Sequence, residues 1–380
     1  MAGPLTGIRI IDATQMISGP FAAGLLGDQG ADVIKVEPPG VGDPIRYFGA
    51  MRGGMSALFA TSNRNKRSVV LDVKNPADLE RLHALVATAD VFMQNFRPGA
   101  AERIGLGEQT LRGLRPDLIY VSISGFGEHG PYVEQRVYDP VIQALSGMAT
   151  LQGDKGPPHM VRTILPDKLT AITAAQAIAA ALFARERNGR GDHVRLAMID
   201  AMVAWLWPDG MWNHTLIGEG VENKLPGGFN LVFQTADGYI TAGALTDKEW
   251  AGLAHALGHP EWVADEQFKT IPDRVKNIEA LLALIAAGLR DLSSAQALKS
   301  LREEEVPCAP ILNMEQVLCE PQLAANQMIE ESDHPVAGPM RSPRPAARFD
   351  SAPPTDRRPA PALGEHTDEI LAELTLPGGQ

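Results

Sequence analysis

Five short apolar runs, GIRIIDA, ADVIKVE, RSVVLDV, DVFMQNF and DLIYVSISG, recur between Gly7 and Gly125 with turns or helix-length stretches between them. Strands that read as near-continuous apolar runs are buried on both faces, and strands joined through helices lie parallel. FAAGLLGDQG, after the turn Ser18-Gly19-Pro20, and the segment from Pro76 to Thr88 have the composition of such helices. The first half therefore reads as a doubly wound α/β sheet. Alanine-rich helical stretches follow over 168–187 and 196–212. From Phe229 the pattern changes, because FNLVFQTADGYITAGAL alternates like an antiparallel hairpin about Asp237-Gly238, and Ala/Leu helices continue to Arg302. This part reads as a smaller α+β domain, as expected for a chain of 380 residues, beyond what one core normally supports. VPCAPIL reads as a buried strand and GEHTDEILAEL as a short helix. The proline- and arginine-rich tail from Pro335 to Pro361 has little periodicity and reads as a segment wrapped over another surface.

The formal net charge of −12 repels nucleic acid and anionic membranes, so neither is an expected partner. One stretch runs against the average. Arg46 to Arg103 carries nine Lys/Arg against five Asp/Glu, either a solvated surface or a site for a polyanionic small ligand. Cys308 and Cys319 lack the paired spacings of zinc sites and disulfide frameworks, so no metal is expected and a reducing cytoplasm fits. No uncharged apolar run reaches membrane-spanning length and the N-terminus carries no signal-like pattern, so neither insertion nor secretion is expected. Glu37, at the end of the second run, imitates the ribose-binding acid of a nicotinamide domain. That reading fails on glycine, because TQMISGP supplies only Gly19 where a G-x-G-x-x-G turn is needed for close approach to a pyrophosphate.

Seven strings spread in order over nearly the whole chain point to one family. They are LTGIRIIDATQMISGPFAAGLLGDQGADVIKVEPPGVGDPIR, NRNKRSVVLDVK, NFRPGAAERIGL, LIYVSISGFGEHGP, YDPVIQALSG, RERNGRGDHVRLAMIDA and APALGEHTDEIL. Together they resemble the family III CoA-transferases, the CaiB/BaiF family. The resemblance implies a Rossmann-like large domain formed by both chain ends, with its N-terminal part at 1–225 and a returning segment at 314–380. It also implies an inserted small α+β domain at 226–313 and a homodimer whose two chains interlock. Coenzyme A thioesters and carboxylic acids are the implied substrates, with no tightly bound cofactor.

Exchange of CoA between two acids must conserve the energy of the thioester, which makes a covalent acyl carrier the natural solution. In the family the carrier is an aspartate after a strand and at the head of a helix, matching Asp167 in RTILPDKLTAITAAQAI. On local sequence alone Asp167 is equally an N-cap. The two roles are compatible, since a helix N-terminus favours an ionised carboxylate. Lys168 either anchors an incoming carboxylate or points to solvent. Leu71, Lys74, Asn95, Phe96, Arg103 and Ile104 match family contacts to CoA and fall within the cationic stretch. Phe96 and Ile104 suit an apolar wall, and Lys74 and Arg103 suit phosphates or surface ion pairs. Gly125 and Gly127 follow a strand, where their amides face a reacting carbonyl or form an ordinary turn.

Departures from the family pattern discriminate among its activities. The α-methylacyl-CoA racemases carry a histidine just before the conserved aspartate, where this chain has Val137-Tyr138-Asp139. Without that imidazole a racemisation lacks its partner acid, so transfer is favoured over racemisation. Asp139 matches an acid that orients active-site groups, and His129 reads as a loop residue. The glycine flap of formyl-CoA transferases is reduced to Gly227 and Gly228 in PGGFN. In the first loop, formate- and oxalate-handling members carry histidine and glutamine where this chain has Gln15 and Ile17, so a larger and less polar acceptor than oxalate is expected. Trp205, Trp207 and Trp212 border an acyl pocket or belong to a core or dimer interface. A catalytically silent CoA-binding protein is the remaining reading, and a retained Asp167 argues against it.

Overall fold

Six strands, β1 (Arg9–Asp12), β2 (Asp32–Glu37), β3 (Lys66–Val70), β4 (Val91–Gln94), β5 (Ile119–Ser124) and β6 (His193–Ala197), form one parallel sheet in the order β3-β2-β1-β4-β5-β6. The structure, a computed structural model, describes residues 3–153, 156–221, 230–350 and 357–375. The first five strands coincide with the five apolar runs. β6 falls between the helical stretches expected at 168–187 and 196–212 and overlaps the start of the second, because HVRLA is an edge strand whose His193 and Arg195 spoil the apolar signature. The order reverses between β1 and β4, which opens a crevice at their carboxyl ends.

Helix α1 (Ser18–Gly27) follows β1, α2 (Pro76–Ala87) follows β3, α3 (Asp139–Leu145) lies beyond β5, and the long α4 (Leu165–Asn188) leads to β6. Ala171, Ala174, Ala175 and Ile178 repeat at helical spacing along α4 and share one core cluster with Ala22, Ala23 and Leu26 of α1. Small side chains on both helices allow close approach. α5 (Met198–Gly210) follows β6 directly and carries Trp205 and Trp207 half-exposed, while Trp212 lies beyond it.

The chain divides into two compact units, 1–208 with 327–380, and 209–326. The sequence reading drew these boundaries after residues 225 and 313. In the second unit β7 (Val232–Gln234) pairs antiparallel with β8 (Tyr239–Ala242), and β9 (Cys308–Pro310) pairs with β8. The hairpin about Asp237-Gly238 is therefore present, with Trp250, Leu253, Leu289 and Leu301 of its helices in a separate core. β9 is only partly buried, not the fully buried strand expected of VPCAPIL. The tail is also more ordered than its composition implied. Ile329–His334 and Gly338–Pro343 form an antiparallel hairpin, closed by Gly338 at φ +69°. IEESDH is almost wholly polar and GPMRSP is interrupted by prolines, so neither offers an apolar/polar alternation to detect.

Beyond the hairpin the chain runs along the outer edge of β3. Asn65 N–H donates to Arg358 O at 2.9 Å, His366 N–H to Ser68 O at 3.0 Å, and Val70 N–H to Thr367 Oγ1 at 3.1 Å. These bonds occupy backbone groups that an open edge strand would present to another chain. Among the described residues, no helix is long and apolar enough to cross a membrane.

The α1/α4 contact generates the first prediction. Ala174 is fully buried within it, and Ala174→Leu is expected to cost about 1–3 kcal/mol by overpacking. Urea unfolding checks this; an unchanged midpoint would mean that the two helices are not in close contact.

Candidate active site

The crevice at the ends of β1 and β4 is bridged by side chain to backbone. Asn95 Nδ2 donates to Gln15 O at 2.8 Å, and Gln15 N–H donates to Asn95 Oδ1 at 2.9 Å. Below this bridge lies a set of buried charges. Lys66 Nζ, fully buried, meets Asp12 at 2.7 Å and also donates to Pro20 O and Asn63 Oδ1. Lys35 meets Asp43 at 2.9 Å and donates to Thr14 O at 2.9 Å, and Asp43 Oδ1 accepts Met16 N–H at 3.0 Å. Met16 is held at φ +68°, a conformation rare for a side chain of that size, so the loop is shaped by its surroundings. Glu37 takes Arg46 at 2.6 and 2.8 Å, so the acid that imitates a ribose ligand is already occupied.

At the end of this loop α1 begins without a side-chain cap of its own. Gly19 is required there, because a Cβ would overlap the side chain of Thr14. The Asp167 carboxylate of another helix lines the same cavity as Ser18 of this first turn, whose amide and hydroxyl lower its proton affinity. Asp167 itself lies in the first turn of α4, whose N-cap is Ile164. It is therefore not the cap of its own helix. Its own amide donates to Asp139 Oδ2 at 3.2 Å, in the first turn of α3. Close packing of α1 and α4 thus brings two helix N-termini to one carboxylate.

Two positive helix ends favour the anion, yet the net effect is opposite to the one expected from a helix N-terminus alone. Burial first, and then the negative charge of Asp139, push Asp167 up to about 6, while Ser18 pulls it down only in part. Asp139 is 3% exposed and is also raised, by burial, against the hydrogen bonds from Gln143 and the Asp167 amide and the nearby charge of Lys168. At neutral pH Asp167 remains mostly ionised, as a carboxylate of raised basicity.

Asp167 opens into a cavity of about 380 Å³ lined by Gln15, Ser18, Asn95, Phe96, Gly125, Gly127, Tyr138 and the cations Arg97 and Arg136, among others. Gln15, Asn95 and Phe96 are thereby brought to Asp167. Ile17 is not. It is 5% exposed and packs with Ile45, Met55 and Phe59, because the left-handed turn at Met16 sends it into the core. The apolar pocket wall expected from Ile17 is corrected accordingly. Leu71, Lys74, Arg103 and Ile104 do not line this cavity. Leu71 is buried, and Phe96 and Ile104 pack against the same apolar cluster. Lys74 and Arg103 are exposed, with the Arg103 guanidinium beside Gly99. Lys168 is exposed and donates to Thr163 Oγ1 at 2.7 Å. Gly127 N–H is taken by Ser124 Oγ at 3.0 Å. Gly227 and Gly228 lie outside the described residues. His129 is exposed and lines a neighbouring cavity of about 850 Å³ that shares Phe96, Arg97 and Ser124 with the first.

The cationic stretch is also largely consumed within the fold. Arg46, Arg64, Lys66 and Arg67 pair with Glu37, Asp28, Asp12 and Asp32. Arg97 and Arg136, which line the cavity, were passed over in the sequence, as were Ser18 and Gln143. Arg97 lies within the cationic stretch and the string NFRPGAAERIGL, and Arg136 one residue before Val137-Tyr138-Asp139, so their positions offered a signal.

Residues 5–367 match the family described as CoA-transferase family III. The chain belongs to that family. It is 34% identical over 378 residues to human succinyl-CoA:glutarate CoA-transferase, covering 98% of this chain and 86% of that protein. Acetyl-CoA:oxalate CoA-transferase of Acetobacter aceti is 34% identical over 386 residues, covering 99% and 97%. Among solved structures, Rv3272 of Mycobacterium tuberculosis superposes with a TM-score of 0.85 at 32% identity, covering 97% of this chain and 99% of that one. A CaiB/BaiF family protein of Brucella suis gives 0.82 at 32% identity, covering 98% and 100%. The protein is thus a transferase enzyme of family III, an α/β protein with a central parallel sheet.

The strained ionisation of Asp167 has a consequence for stability. At pH 7.5 the fold carries a carboxylate that burial and Asp139 disfavour, so Asp167→Asn is expected to be more stable than the parent by about 1–3 kcal/mol. The folded-state value, about 6, lies above the ordinary aspartate value of 3.8. The parent therefore gains stability by taking up a proton as pH falls through 6, and the difference narrows by pH 5. Denaturant titrations at the two pH values check this; a variant less stable at pH 7.5 would contradict it.

Proposed function

We propose that the enzyme moves CoA from an acyl-CoA to a free carboxylic acid, with Asp167 as covalent carrier. The observation that carries this reading is the Asp167 carboxylate, set beside Ser18 at the head of α1 and facing a cavity at the sheet's switch point. The carboxylate attacks the thioester carbonyl, forming an acyl-aspartyl anhydride and releasing CoA thiolate. The thiolate then attacks the aspartyl carbonyl, giving aspartyl-CoA thioester and the donor acid. The acceptor carboxylate attacks that thioester, forming a second anhydride and thiolate, and return of the thiolate to the acceptor's acyl carbon yields the product and regenerates Asp167. Every step exchanges one acyl oxygen or sulfur bond for another, and no water is consumed.

The thioester end of CoA belongs beside Asn95 and Phe96, and its nucleotide along Phe96 and Ile104, which pack on the core cluster that holds Leu71, with Lys74 and Arg103 toward the phosphates. Arg97 and Arg136 add positive charge at the mouth of the cavity. An interlocked homodimer in the cytoplasm remains part of this reading. Racemisation is disfavoured because, among the described residues, no histidine lines the Asp167 cavity.

The acceptor reading changes with the placement of Ile17. With that side chain in the core, the argument for a long apolar acid loses its wall, while Arg97 and Arg136 suit a second negative charge. Relatives named for glutarate and oxalate support short dicarboxylic acids as the class. Ranked by kcat/KM from one donor, short dicarboxylic acids are expected to exceed monocarboxylic acids of equal length by at least about tenfold, the factor for one well-placed ionic contact. Aromatic or long-chain acids at the head of the ranking would overturn this assignment.

Asp167→Ala is expected to lower CoA exchange by at least about a thousandfold while CoA binding persists. Retention of more than a few per cent of activity would exclude Asp167 as carrier. The parent's kcat/KM should fall as pH drops through about 6, where the nucleophile takes up its proton. Incubation of a 2-methylacyl-CoA in deuterium oxide should leave its α-hydrogen in place, and wash-in without exchange of free acid would favour the racemase reading instead.

A further inference from the structure

Gln143 is the least conspicuous polar residue near Asp167 and among the most constrained. It is 2% exposed on α3, four residues from Asp139. Its Nε2 donates to Asp139 Oδ1 at 2.6 Å and lies 3.4 and 3.3 Å from Val161 O and Thr163 O, while its Oε1 accepts Val161 N–H at 2.9 Å. One amide therefore ties α3 to the segment that runs into α4. Asp139 is thereby held at both oxygens, Oδ1 by Gln143 and Oδ2 by the Asp167 amide.

We propose that Gln143 is a positioning residue that keeps Asp139 ionised and fixed against Asp167, so that the nucleophile works beside a constant negative charge. This rests on the reading of Asp167 as covalent carrier. The anion of Asp167 is repelled by Asp139, whereas the anhydride and the thioester at Asp167 are neutral there. The repulsion is therefore present before acylation and relieved after it, which favours the covalent forms over the resting carboxylate. A buried carboxylate stripped of its hydrogen-bond donor takes up a proton more readily. Loss of Gln143 thus makes the charge of Asp139 easier to neutralise, and its place less fixed, without removing Asp139. The other charged or titratable groups facing the pair are Lys168 on α4, which acts on Asp139, and Arg97, Arg136 and Tyr138 around the cavity. All four remain in the variants below.

The test is a pH profile of kcat/KM for Gln143→Met, Asp139→Asn and the double variant. Each single change is expected to move the acid limb down by about one pH unit and to lower kcat by about tenfold at pH 8. The double variant should move it no further than Asp139→Asn, because both changes act through the same charge. A limb left in place by Gln143→Met, or shifts that add in the double variant, would overturn the proposal. Gln143→Asn, which keeps the amide but withdraws it from Asp139, serves if the methionine variant does not fold, and it is held to the same two outcomes. Absence of any acid limb in the parent, or activity in Asp167→Ala, would instead count against Asp167 as carrier.

Discussion

Asp12 ends β1 without contact to solvent and takes the Lys66 ammonium at 2.7 Å, while Lys35 and Asp43 pair beside it and Glu37 holds Arg46. Three acids and three bases compensate one another in a region that water does not reach. A buried charge is tolerable only when it is paired and further hydrogen-bonded, and this set meets the condition through Pro20 O, Asn63 and Thr14. Its members come from β1, β2, β3 and the loops after them, so one network ties the three strands together. It also shapes the loop from Thr14 to Ser18, because Thr14 O, Met16 N–H and Pro20 O are all bonded to its members.

That loop delivers Ser18 to the point where α4 presents Asp167. Small residues on both helices permit the approach, and the Ser18 amide and hydroxyl then lower the proton affinity of the carboxylate. The site therefore follows from the close packing of two helices whose N-terminal ends converge on one carboxylate. Asp139 adds the opposing influence. A carboxylate stabilised by two helix ends alone would be a weak nucleophile, and the neighbouring charge restores its basicity without abolishing its ionisation at neutral pH.

Much of the sheet was legible, because buried parallel strands leave apolar runs that no other element resembles. β6 and the hairpin at 329–343 were not, since an edge strand and a solvated ribbon need no such pattern. Asp167 could be located from its surrounding string, but its electrostatic environment could not: Asp139 lies 28 residues earlier, and only the fold brings the two together. Ile17 shows the limit most clearly. Its neighbours Gln15, Met16 and Ser18 line the cavity, and one left-handed residue turns Ile17 away from them. The cationic stretch misled for a related reason, because a linear count of charges cannot distinguish Lys66 in the core from Lys74 on the surface.

The central claim is that Asp167 carries the acyl group and then CoA in covalent linkage. Mass spectrometry of the enzyme quenched in acid after brief incubation with an acyl-CoA tests it directly, with proteolysis to locate the adduct. The account predicts a CoA thioester on the peptide containing Asp167, converted to a hydroxamate by hydroxylamine and lost when the acceptor acid is added before quenching. Exchange proceeding at full rate with the adduct on another residue would contradict it.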